Sequence, residues 1–404
     1  MIDRLREPPP TAGLALSWRD FLPESPSSIE QKIADFIGVP DVQIECSGTA
    51  ALFVALLTLK NMSQRRSVVI SAYTCPWVAL AVVQCGLKPV VCDSRKNHFE
   101  FCLQSLAAVC TDDTLAVIPT HLAGRVADLD GVKSIAGSVG AYIVEDAAQS
   151  FGALHAAQPV GTFGDIGFYS LGVGKGLTIF AGGVLVARDE KMRQALRRTS
   201  ALLVRDSFAW EVRRIVELVG YYLLYRPFGM GLAFGMPLRR HLKKGRLIEA
   251  VGDDCALPIA LHRVGRWRKA VGANAFTRFP DYLLSTRMQA GGRIARLGNI
   301  PGVTVITDTP ENKGVWPFLL VLMPSQEARD TALASLWRQG LGVGRLFIHA
   351  LAGYQYLAGY FDGAHTPNAT DFAERLLIVT NTVWLREKDF IKICAVLGEQ
   401  ASNV

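Results

Sequence analysis

The sequence lacks the marks of several protein classes. Its eight cysteines include no Cys-x-x-Cys pair and no histidines at metal-ligand spacing, so we predict reduced, mostly buried thiols and no structural zinc or other metal site. The stretch MIDRLREPPPTAGLALSW carries charges and three prolines without an apolar run, so we expect neither a signal peptide nor an anchor. Internal repeats and low-complexity tracts are also missing. We therefore expect a globular protein located in the cytoplasm.

Positive charge is concentrated in one segment. The formal net charge is +7, and residues 205–250 contain nine lysines and arginines against four acids, so this segment alone contributes +5. A nucleic-acid-binding surface would spread basic residues along a face or carry a recognised motif, and the sequence shows neither. We therefore predict no nucleic-acid partner.

Apolar runs separated by helical patterns dominate the N-terminal half. Such runs are typical of a mostly parallel sheet covered on both faces, so we predict an α/β fold. Ser28 is the predicted start of the first helix, which reaches about Ile37. The other predicted helices begin at about Thr49 or cover 77–85, 103–109 and 129–136, and the predicted strands are 68–71, 89–92, 115–119, 141–144, 166–169 and 184–187.

Composition changes after residue 204. We predict a large domain over residues 1–204, a basic, apolar insertion over 205–250 and a smaller C-terminal α+β domain over 251–404. Within the last, the patterns predict helices at 268–297, 325–339 and 387–397 and strands at 316–323 and 344–348.

One candidate anion site lies at the start of a predicted helix. Ser47, Gly48 and Thr49 open the helix that follows Cys46, and a helix N-terminus with small residues binds phosphate readily. An ordinary helix cap explains the same residues equally simply.

Two further polar groups lie at predicted strand ends, where open α/β sheets bind ligands. Asp146 follows strand 141–144, with Gln149 three residues later. Lys175 lies in the glycine-rich loop GVGKGL, and Ser170 ends the preceding strand. Taken singly, the carboxylate could be a helix cap and the lysine a solvated turn residue.

A phosphate cradle, a carboxylate and a loop lysine are together the parts that hold pyridoxal phosphate. The amine bonds the cofactor covalently, and the carboxylate keeps the pyridine nitrogen charged. Other phosphate motifs fit worse, because a Walker A loop would need glycine in place of Tyr169 and serine or threonine in place of Gly176.

Six segments carry a resemblance to a known family, in family order. They are SGTAALFVALLTL, AYTCPWVALAVVQCGLKPVVCD, IPTHLAGRVADL, IVEDAAQSFGA, VGTFGDIGFYSLGVGKGLTIFAGGVLVA and AERLLIVTNTVWL. Over residues 28–204, and more loosely over 250–400, the chain resembles the DegT/DnrJ/EryC1/StrS family. These are pyridoxal-phosphate aminotransferases of fold type I that mostly act on nucleotide-linked keto sugars. The resemblance implies a seven-stranded, mostly parallel sheet between helices.

The resemblance also assigns roles to residues. Lys175 would be the cofactor-bonding lysine and general base, and Asp146 would be the partner of the pyridine nitrogen. Gln149 would lie near the cofactor ring oxygen. The phosphate would be held by Gly48, Thr49 and Ser170. A homodimer is implied as well, because related active sites form at a subunit interface.

Two late residues, His349 and Tyr354, resemble a region that faces the substrate. Burial of the histidine at a packed strand end is an equally good interpretation. His121, in the segment THLAG, is interpreted as structural.

Some positions depart from the family pattern. Position 75 is cysteine where an aromatic residue often stacks on the cofactor ring, so either Cys75 or Trp77 would contact the ring. Phe180 and Ala181 stand where glycine and glutamate are usual. The asparagine loop by which a partner subunit commonly contacts the phosphate has no clear counterpart. These departures weaken the substrate assignment more than the cofactor assignment.

The predicted function is amino transfer from an amino acid, glutamate, to a keto acceptor, most simply a nucleotide-linked keto sugar. Another fold type I reaction, aldol cleavage or elimination, is the first alternative. The second is a low-turnover cofactor-binding scaffold attached to a membrane or partner.

The insertion has two interpretations. Residues 215–238 are apolar, but Glu217, Arg226 and Pro227 interrupt them, so a spanning helix is not expected. The segment could pack against the dimer partner or the smaller domain. Alternatively, residues 213–244 could contact the inner face of the membrane peripherally, with arginines and lysines meeting anionic lipid. The apolar residues that would then enter the headgroup boundary are Tyr221, Tyr222, Leu223, Leu224, Phe228, Met230 and Phe234.

Overall fold

The computed structural model describes residues 6–23, 27–361 and 363–402. The N-terminal half contains nine strands within these residues. They are β1 (Gln43–Glu45), β2 (Ser67–Ser71), β3 (Lys88–Cys92), β4 (Thr114–Ile118), β5 (Tyr142–Asp146), β6 (Leu154–His155), β7 (Gln158–Pro159), β8 (Ile166–Ser170) and β9 (Gly183–Val186).

Seven of these strands form one sheet, in the order β1-β9-β8-β5-β4-β2-β3. Neighbouring strands from β8 to β3 pair in parallel, and only β9 runs antiparallel to both of its neighbours. Strands β2 and β4 are buried along their whole length, as expected for a sheet covered on both faces. The predicted mostly parallel, seven-stranded fold is confirmed.

Helices cover this sheet, and side-chain caps fix where several of them begin. Ser28 Oγ accepts from Gln31 N at 3.1 Å, and the helix ends at Gly38 in the left-handed conformation, as the sequence predicted. The helices of this half are α1 (Ile29–Ile37), α2 (Gly48–Met62), α3 (Pro76–Gln84), α4 (Leu103–Val109), α5 (Leu129–Ser138) and α6 (Glu190–Leu203).

Residues 205–251 are mostly helical, and we call them the insertion after the prediction for residues 205–250. Its helices are α7 (Phe208–Leu224), α8 (Pro227–Met230), α9 (Met236–Lys243) and α10 (Leu247–Val251), with a π-helical turn at Gly231–Gly235. The insertion packs on the N-terminal segment, since Arg239 Nη1 lies 2.7 Å from Glu7 Oε2 and Glu7 N donates to Pro227 O at 2.9 Å. No helix in the described part of the chain combines the length and apolar character needed to cross a bilayer.

The C-terminal part contains α11 (Arg266–Phe276), α12 (Phe279–Gly298), α13 (Gln326–Leu336), α14 (Pro367–Arg375) and α15 (Glu387–Ser402). Its strands are β10 (Thr304–Val305), β11 (Asn312–Lys313), β12 (Phe318–Leu322), β13 (Val343–Gly344) and β14 (Leu376–Thr380). Four of them form an antiparallel sheet in the order β10-β12-β14-β13. This arrangement is the predicted smaller α+β region.

Two predictions in this part were wrong in detail. The helix predicted over 268–297 is two helices, because Pro280 lies in the first turn of α12 and cannot continue a hydrogen-bonded helix from α11. The strand predicted over 344–348 stops at Gly344. Ile348 N and His349 N donate to Tyr354 Oη instead of to a neighbouring strand.

The two parts of the chain are interlocked. Strand β11 pairs with β6, which in turn pairs with β7, so a small antiparallel sheet contains strands from both halves. The division of the chain at residues 204 and 250 therefore stays a prediction, and its outermost residues 1–5, 403 and 404 lie outside the described part.

Candidate active site

The predicted site residues come together at the carboxyl edge of the seven-stranded sheet. Strand β5 ends at Asp146, β8 ends at Ser170, and α2 begins at Gly48. Between them lies a cavity of about 260 Å³. Its lining includes all seven predicted cofactor-contacting residues, Gly48, Thr49, Cys75, Asp146, Gln149, Ser170 and Lys175.

The N-terminus of α2 faces this cavity with backbone N–H groups. Ser47 Oγ accepts from Ala50 N at 3.0 Å, which satisfies one donor of the first turn. The N–H groups of Gly48 and Thr49, at the first two helical positions, have no acceptor within α2. A Cβ atom on Gly48 would lie 3.1 Å from Ser170 Cβ, so the glycine lets helix and strand approach closely. This end of α2 is therefore built to receive an anion.

Asp146 is buried at the end of β5. Its Oδ1 accepts from Ala148 N at 3.0 Å, while its backbone is fixed by bonds to Pro119 O and His121 N. Burial raises the pKa of Asp146, and the Ala148 N–H, Lys175 and His121 act in the opposite direction. A cationic ring N–H in the cavity would supply the missing partner for this carboxylate.

Lys175 lies half-buried in the loop between β8 and β9. Burial lowers the pKa of its amine, which Cys75 and Asp146 partly offset. A lowered pKa favours the neutral amine that reacts with a carbonyl. The N-terminal segment holds the loop, since Leu14 N donates to Gly176 O at 2.9 Å. Gly174, at φ 74°, leaves no room for a Cβ beside Thr11 Oγ1.

Gln149 is held by the loop that follows β4. Its Oε1 accepts from Ala123 N at 2.8 Å, and Ala123 itself adopts a left-handed conformation with φ 54°. The amide nitrogen of Gln149 is therefore the group left to donate to a ligand in the cavity.

His121 lines the cavity with both ring nitrogens already bonded. Nδ1 accepts from Ala127 N at 3.1 Å, so Nε2 carries the proton and donates to Glu145 Oε2 at 3.1 Å. Glu145 is fully buried and also accepts from the backbone N–H groups of Gly161, Phe163 and Gly164. These bonds agree with the interpretation of His121 as structural.

Both Cys75 and Trp77 line the cavity, so the structure keeps both as candidates for contact with a ring. Burial raises the pKa of the Cys75 thiol to about 12, which keeps it protonated at neutral pH. Cys75 precedes Pro76 at the start of α3 without capping it through its side chain.

The two predicted substrate residues lie outside the cavity lining. Tyr354 is fully buried, and its hydroxyl donates to Asp253 while accepting from Ile348 N at 3.0 Å. His349 is exposed, with its ring 5.3 Å from that of Tyr354. Phe347, two residues earlier, lines the cavity instead. The sequence analysis did not predict Phe347, although it predicted His349 in the same segment, FIHAL, as a site residue. Substrate contact by His349 and Tyr354 stays a prediction that this geometry does not favour.

Comparison with known proteins places the site in a family. The model of the DegT/DnrJ/EryC1/StrS aminotransferase family matches residues 23–221, which hold all of the cavity-lining residues named above except Phe347. The match covers just under half of the chain, and over these residues the chain is similar to the DegT/DnrJ/EryC1/StrS family.

Two relatives and one solved structure illustrate the likeness. Protein MosB of Rhizobium meliloti is 32% identical over 54% of this chain and 45% of its own length. The UDP-N-acetyl-3-dehydro-alpha-D-glucosamine 3-aminotransferase of Acidithiobacillus ferrooxidans is 34% identical over 48% of this chain and 51% of its own. The chain thus spans about half the length of these relatives. The sugar aminotransferase CalS13 of Micromonospora echinospora shares the fold, with TM-score 0.74, 18% identity and coverage of 96% of this chain and 99% of its own.

The residues present fit pyridoxal phosphate, the cofactor of this family. The N–H groups at the start of α2 and the Ser170 hydroxyl would hold the phosphate, and Asp146 would pair with the ring nitrogen. Lys175 would bond the aldehyde carbon. The fit rests on two groups that line one cavity: a buried carboxylate whose pKa is raised by burial, and an amine whose pKa is lowered by burial.

One departure from the family pattern has a structural counterpart. Phe180 adopts φ 69°, a left-handed conformation that favours glycine. Arg268 spans this turn, since its Nη1 donates to Ala181 O at 2.6 Å while Nη2 lies 2.7 Å from Glu211 Oε2 of α7. Through Glu211 of α7, residues 205–251 therefore contribute to holding the loop that follows the lysine.

Proposed function

We propose that the protein is a pyridoxal-phosphate-dependent aminotransferase that moves an amino group from glutamate to a keto sugar. The observation that carries this proposal is the single cavity that joins the Lys175 amine, the Asp146 carboxylate and the N-terminus of α2. The family match and the fold support it.

Each residue has a defined task in this function. When bound, pyridoxal phosphate supplies an electron sink for the negative charge that develops on a substrate carbon. With the cofactor bound, Asp146 would hold the proton of the ring nitrogen. The Lys175 amine would hold the cofactor and would serve as the base that moves the proton at the substrate carbon. The apolar walls around the cavity, including Leu52 and Val78, exclude water from that carbon.

The acceptor class comes from the relatives. The Acidithiobacillus protein is named for a UDP-linked keto sugar, and CalS13 is named as a sugar aminotransferase. We therefore propose a nucleotide-linked keto sugar as acceptor for this chain as well.

The test is the half-reaction with glutamate. Purified protein is loaded with pyridoxal phosphate and mixed with glutamate, and 2-oxoglutarate and the visible absorbance of the cofactor are followed. We expect one 2-oxoglutarate per site together with loss of the visible band, and neither change with Lys175→Ala. Absence of 2-oxoglutarate would overturn amino transfer from glutamate and favour aldol cleavage, elimination or a low-turnover scaffold.

We further propose that the active form is a homodimer. Exposed apolar side chains lie near the cavity, at Val173 of the lysine loop and at Leu284 and Met288, one turn apart on α12. Cover by a second subunit would remove them from water, and a two-fold dimer is the commonest oligomer of soluble enzymes. Sedimentation should show a dimer at micromolar concentration, and a fully active monomer would contradict this proposal.

We also propose that the protein is cytoplasmic and contacts the inner face of the membrane through residues 213–244. The exposed apolar face differs from the predicted one. Of the residues predicted to enter the headgroup boundary, Leu223, Leu224 and Phe228 are exposed, whereas Tyr221 is buried. The remaining three, Tyr222, Met230 and Phe234, are half-buried.

The face that the structure exposes follows a helical repeat. It continues through α7, α8, the π-helical turn and α9 as Phe208, Val212, Val216, Val219, Leu223, Leu224, Phe228, Leu232 and Met236, all exposed. Arg213, Arg240, Lys243 and Lys244 are also exposed. We name these nine apolar residues the insertion face. An apolar stripe accompanied by basic residues suits an anionic bilayer surface.

Flotation with vesicles tests this contact. Wild-type protein should float with vesicles that contain anionic lipid and less with neutral ones, and a Leu223→Ser/Phe228→Ser/Leu232→Ser variant should stay in the unbound fraction. The matched control is Met62→Ser/Val383→Ser/Ile391→Ser, which replaces three exposed apolar residues outside the insertion and outside the proposed dimer contact. Equal flotation of the two triple variants would contradict the proposal.

A further inference from the structure

A second cavity, of about 130 Å³, lies on the other side of Lys175. It shares Ala148, Gln149, Ser170 and Lys175 with the cofactor cavity. Its remaining walls are mostly apolar and come from the C-terminal part, including Leu283, Phe318 and Leu346. A ligand group in this space would lie directly beside the reactive amine.

A third cavity, of about 170 Å³, continues from the second. The two share the lining residues Thr11, Phe318 and Leu346, so they are neighbours across these side chains. The third cavity lies between the N-terminal segment, the insertion and the four-stranded sheet. The three cavities therefore form a row that leads from the cofactor site to the inner side of the insertion.

The row beyond Lys175 suits an apolar ligand. Two charged side chains line the third cavity. Glu7 pairs with Arg239, and Arg345 Nη2 donates to Ala373 O at 3.0 Å, while Arg345 Nε is buried without a hydrogen-bond partner. What remains of the lining is chiefly apolar, including Phe234, Leu238 and Val251. Except at Arg345 Nε, a polar ligand would lose its hydration there with few partners in exchange, whereas a hydrocarbon chain would lose nothing.

The wall of the third cavity is also the wall that carries the insertion face. Phe234 and Leu238 line the cavity from the π-helical turn and α9, while Leu232 and Met236, from the same turn and helix, are exposed. The apolar interior thus lies one helix thickness from the apolar exterior that we propose to contact lipid.

We propose that the nucleotide-linked keto sugar also bears a hydrocarbon chain, and that this chain occupies the second and third cavities. This inference rests on the proposed function, which places the keto group at Lys175. The chain would extend from Lys175 past Leu346 to Phe234 and Leu238. Acceptors without a chain would leave this apolar row empty and bind more weakly.

A brominated probe tests the site without turnover. Trp337 lines the third cavity, and bromine quenches tryptophan fluorescence on contact. Holoenzyme is titrated with bromododecyl glucoside, a sugar with a brominated chain, and with unbrominated dodecyl glucoside as reference. We expect saturable quenching by the first that the second displaces. Trp337→Phe should remove most of the quenching.

Filling the cavity distinguishes this site from adsorption at the surface. Val251→Phe places a larger side chain in the third cavity, and Val383→Phe makes the same change at an exposed position. We expect at least about a tenfold weaker affinity for the probe with Val251→Phe, equivalent to roughly 1.4 kcal/mol, and no change with Val383→Phe. If Val251→Phe is unstable, Leu238→Phe fills the same space from the opposite wall.

The outcomes separate this inference from the proposed function. Equal quenching of wild type, Trp337→Phe and the cavity-filled variants would overturn the hydrocarbon site, whatever the glutamate half-reaction shows. Quenching at the cavity without any 2-oxoglutarate from glutamate would overturn amino transfer and leave the hydrocarbon site standing.

Discussion

At the sheet edge that carries Lys175, neighbouring backbones approach so closely that only glycine fits at some positions. The insertion, in contrast, touches the rest of the chain through a few side chains and exposes a whole helical face. A Cβ on Gly183 would lie 2.2 Å from Ser47 O, while a Cβ on Gly220 of α7 would meet nothing within 4 Å. The first region fixes atoms for chemistry. The second leaves apolar surface for something outside the chain.

Of the substitutions at the sheet edge, removal of the Lys175 side chain should have the largest effect on turnover. Lys175→Ala removes both the cofactor bond and the proton-transfer group, so turnover should fall by at least about 10²- to 10⁴-fold while the protein stays folded. The visible absorbance of the bound cofactor should vanish. The matched control is Lys191→Ala, an exposed lysine on α6. A visible band that survives dialysis in Lys175→Ala would remove Lys175 from its role.

Replacement of Asp146 should have the next largest effect. Asp146→Asn keeps the shape of the side chain but removes the charge that holds the ring-nitrogen proton, so turnover should fall by about 10²-fold with the visible band retained. Rates of the glutamate half-reaction measure this effect. Turnover close to wild type would show that the carboxylate has another function.

Two glycine substitutions compare the regions directly. Gly183→Ala should destabilise the protein by about 1–3 kcal/mol and weaken cofactor affinity, because the new Cβ pushes the start of α2 out of place. Gly220→Ala should instead stabilise it by up to roughly 1 kcal/mol, because alanine is the better helix former and the site is open. Denaturant titration gives both values. Equal changes in the free energy of unfolding for the two substitutions would contradict the difference in packing between the sheet edge and the insertion.

A smaller effect is expected where the insertion meets the N-terminal segment. Tyr225 Oη donates to Thr11 O at 2.7 Å and accepts from Gly13 N at 2.9 Å. Tyr225→Phe should therefore lower the free energy of unfolding by about 1–2 kcal/mol. Tyr222→Phe is the matched control, because Tyr222 packs its ring on Phe21 at 5.0 Å. Equal free energies of unfolding for the two variants would contradict a stabilising role for the two Tyr225 hydrogen bonds.

Much of the large sheet could be predicted from the sequence, because its strands are short apolar runs between strong helix signals. The strand-end pattern and the family resemblance together also predicted seven residues that line one cavity, while their contact with the cofactor stays a prediction. Strand β1 was missed because it has only three residues and is stabilised by pairing with β9. Its identity depends on tertiary contact and not on local pattern.

The insertion and the substrate side were harder to predict for the same reason. An apolar pattern shows that Tyr221 and Leu223 lie on a helix, but not which of them packs inward. Tyr221 is buried, near Tyr225, and Leu223 is exposed. Tyr354 was predicted to contact the substrate, but its hydroxyl donates to Asp253 and accepts from two backbone N–H groups. Such assignments depend on neighbours that are distant in sequence.

The central claim is that Lys175 carries the cofactor, and chemical trapping tests it most directly. Holoenzyme is reduced with borohydride, which fixes the cofactor to its lysine, then digested and mapped by mass spectrometry. The account predicts one phosphopyridoxyl group per chain, on the peptide that contains Lys175. A group on any other lysine, or none on the Lys175 peptide, would contradict it.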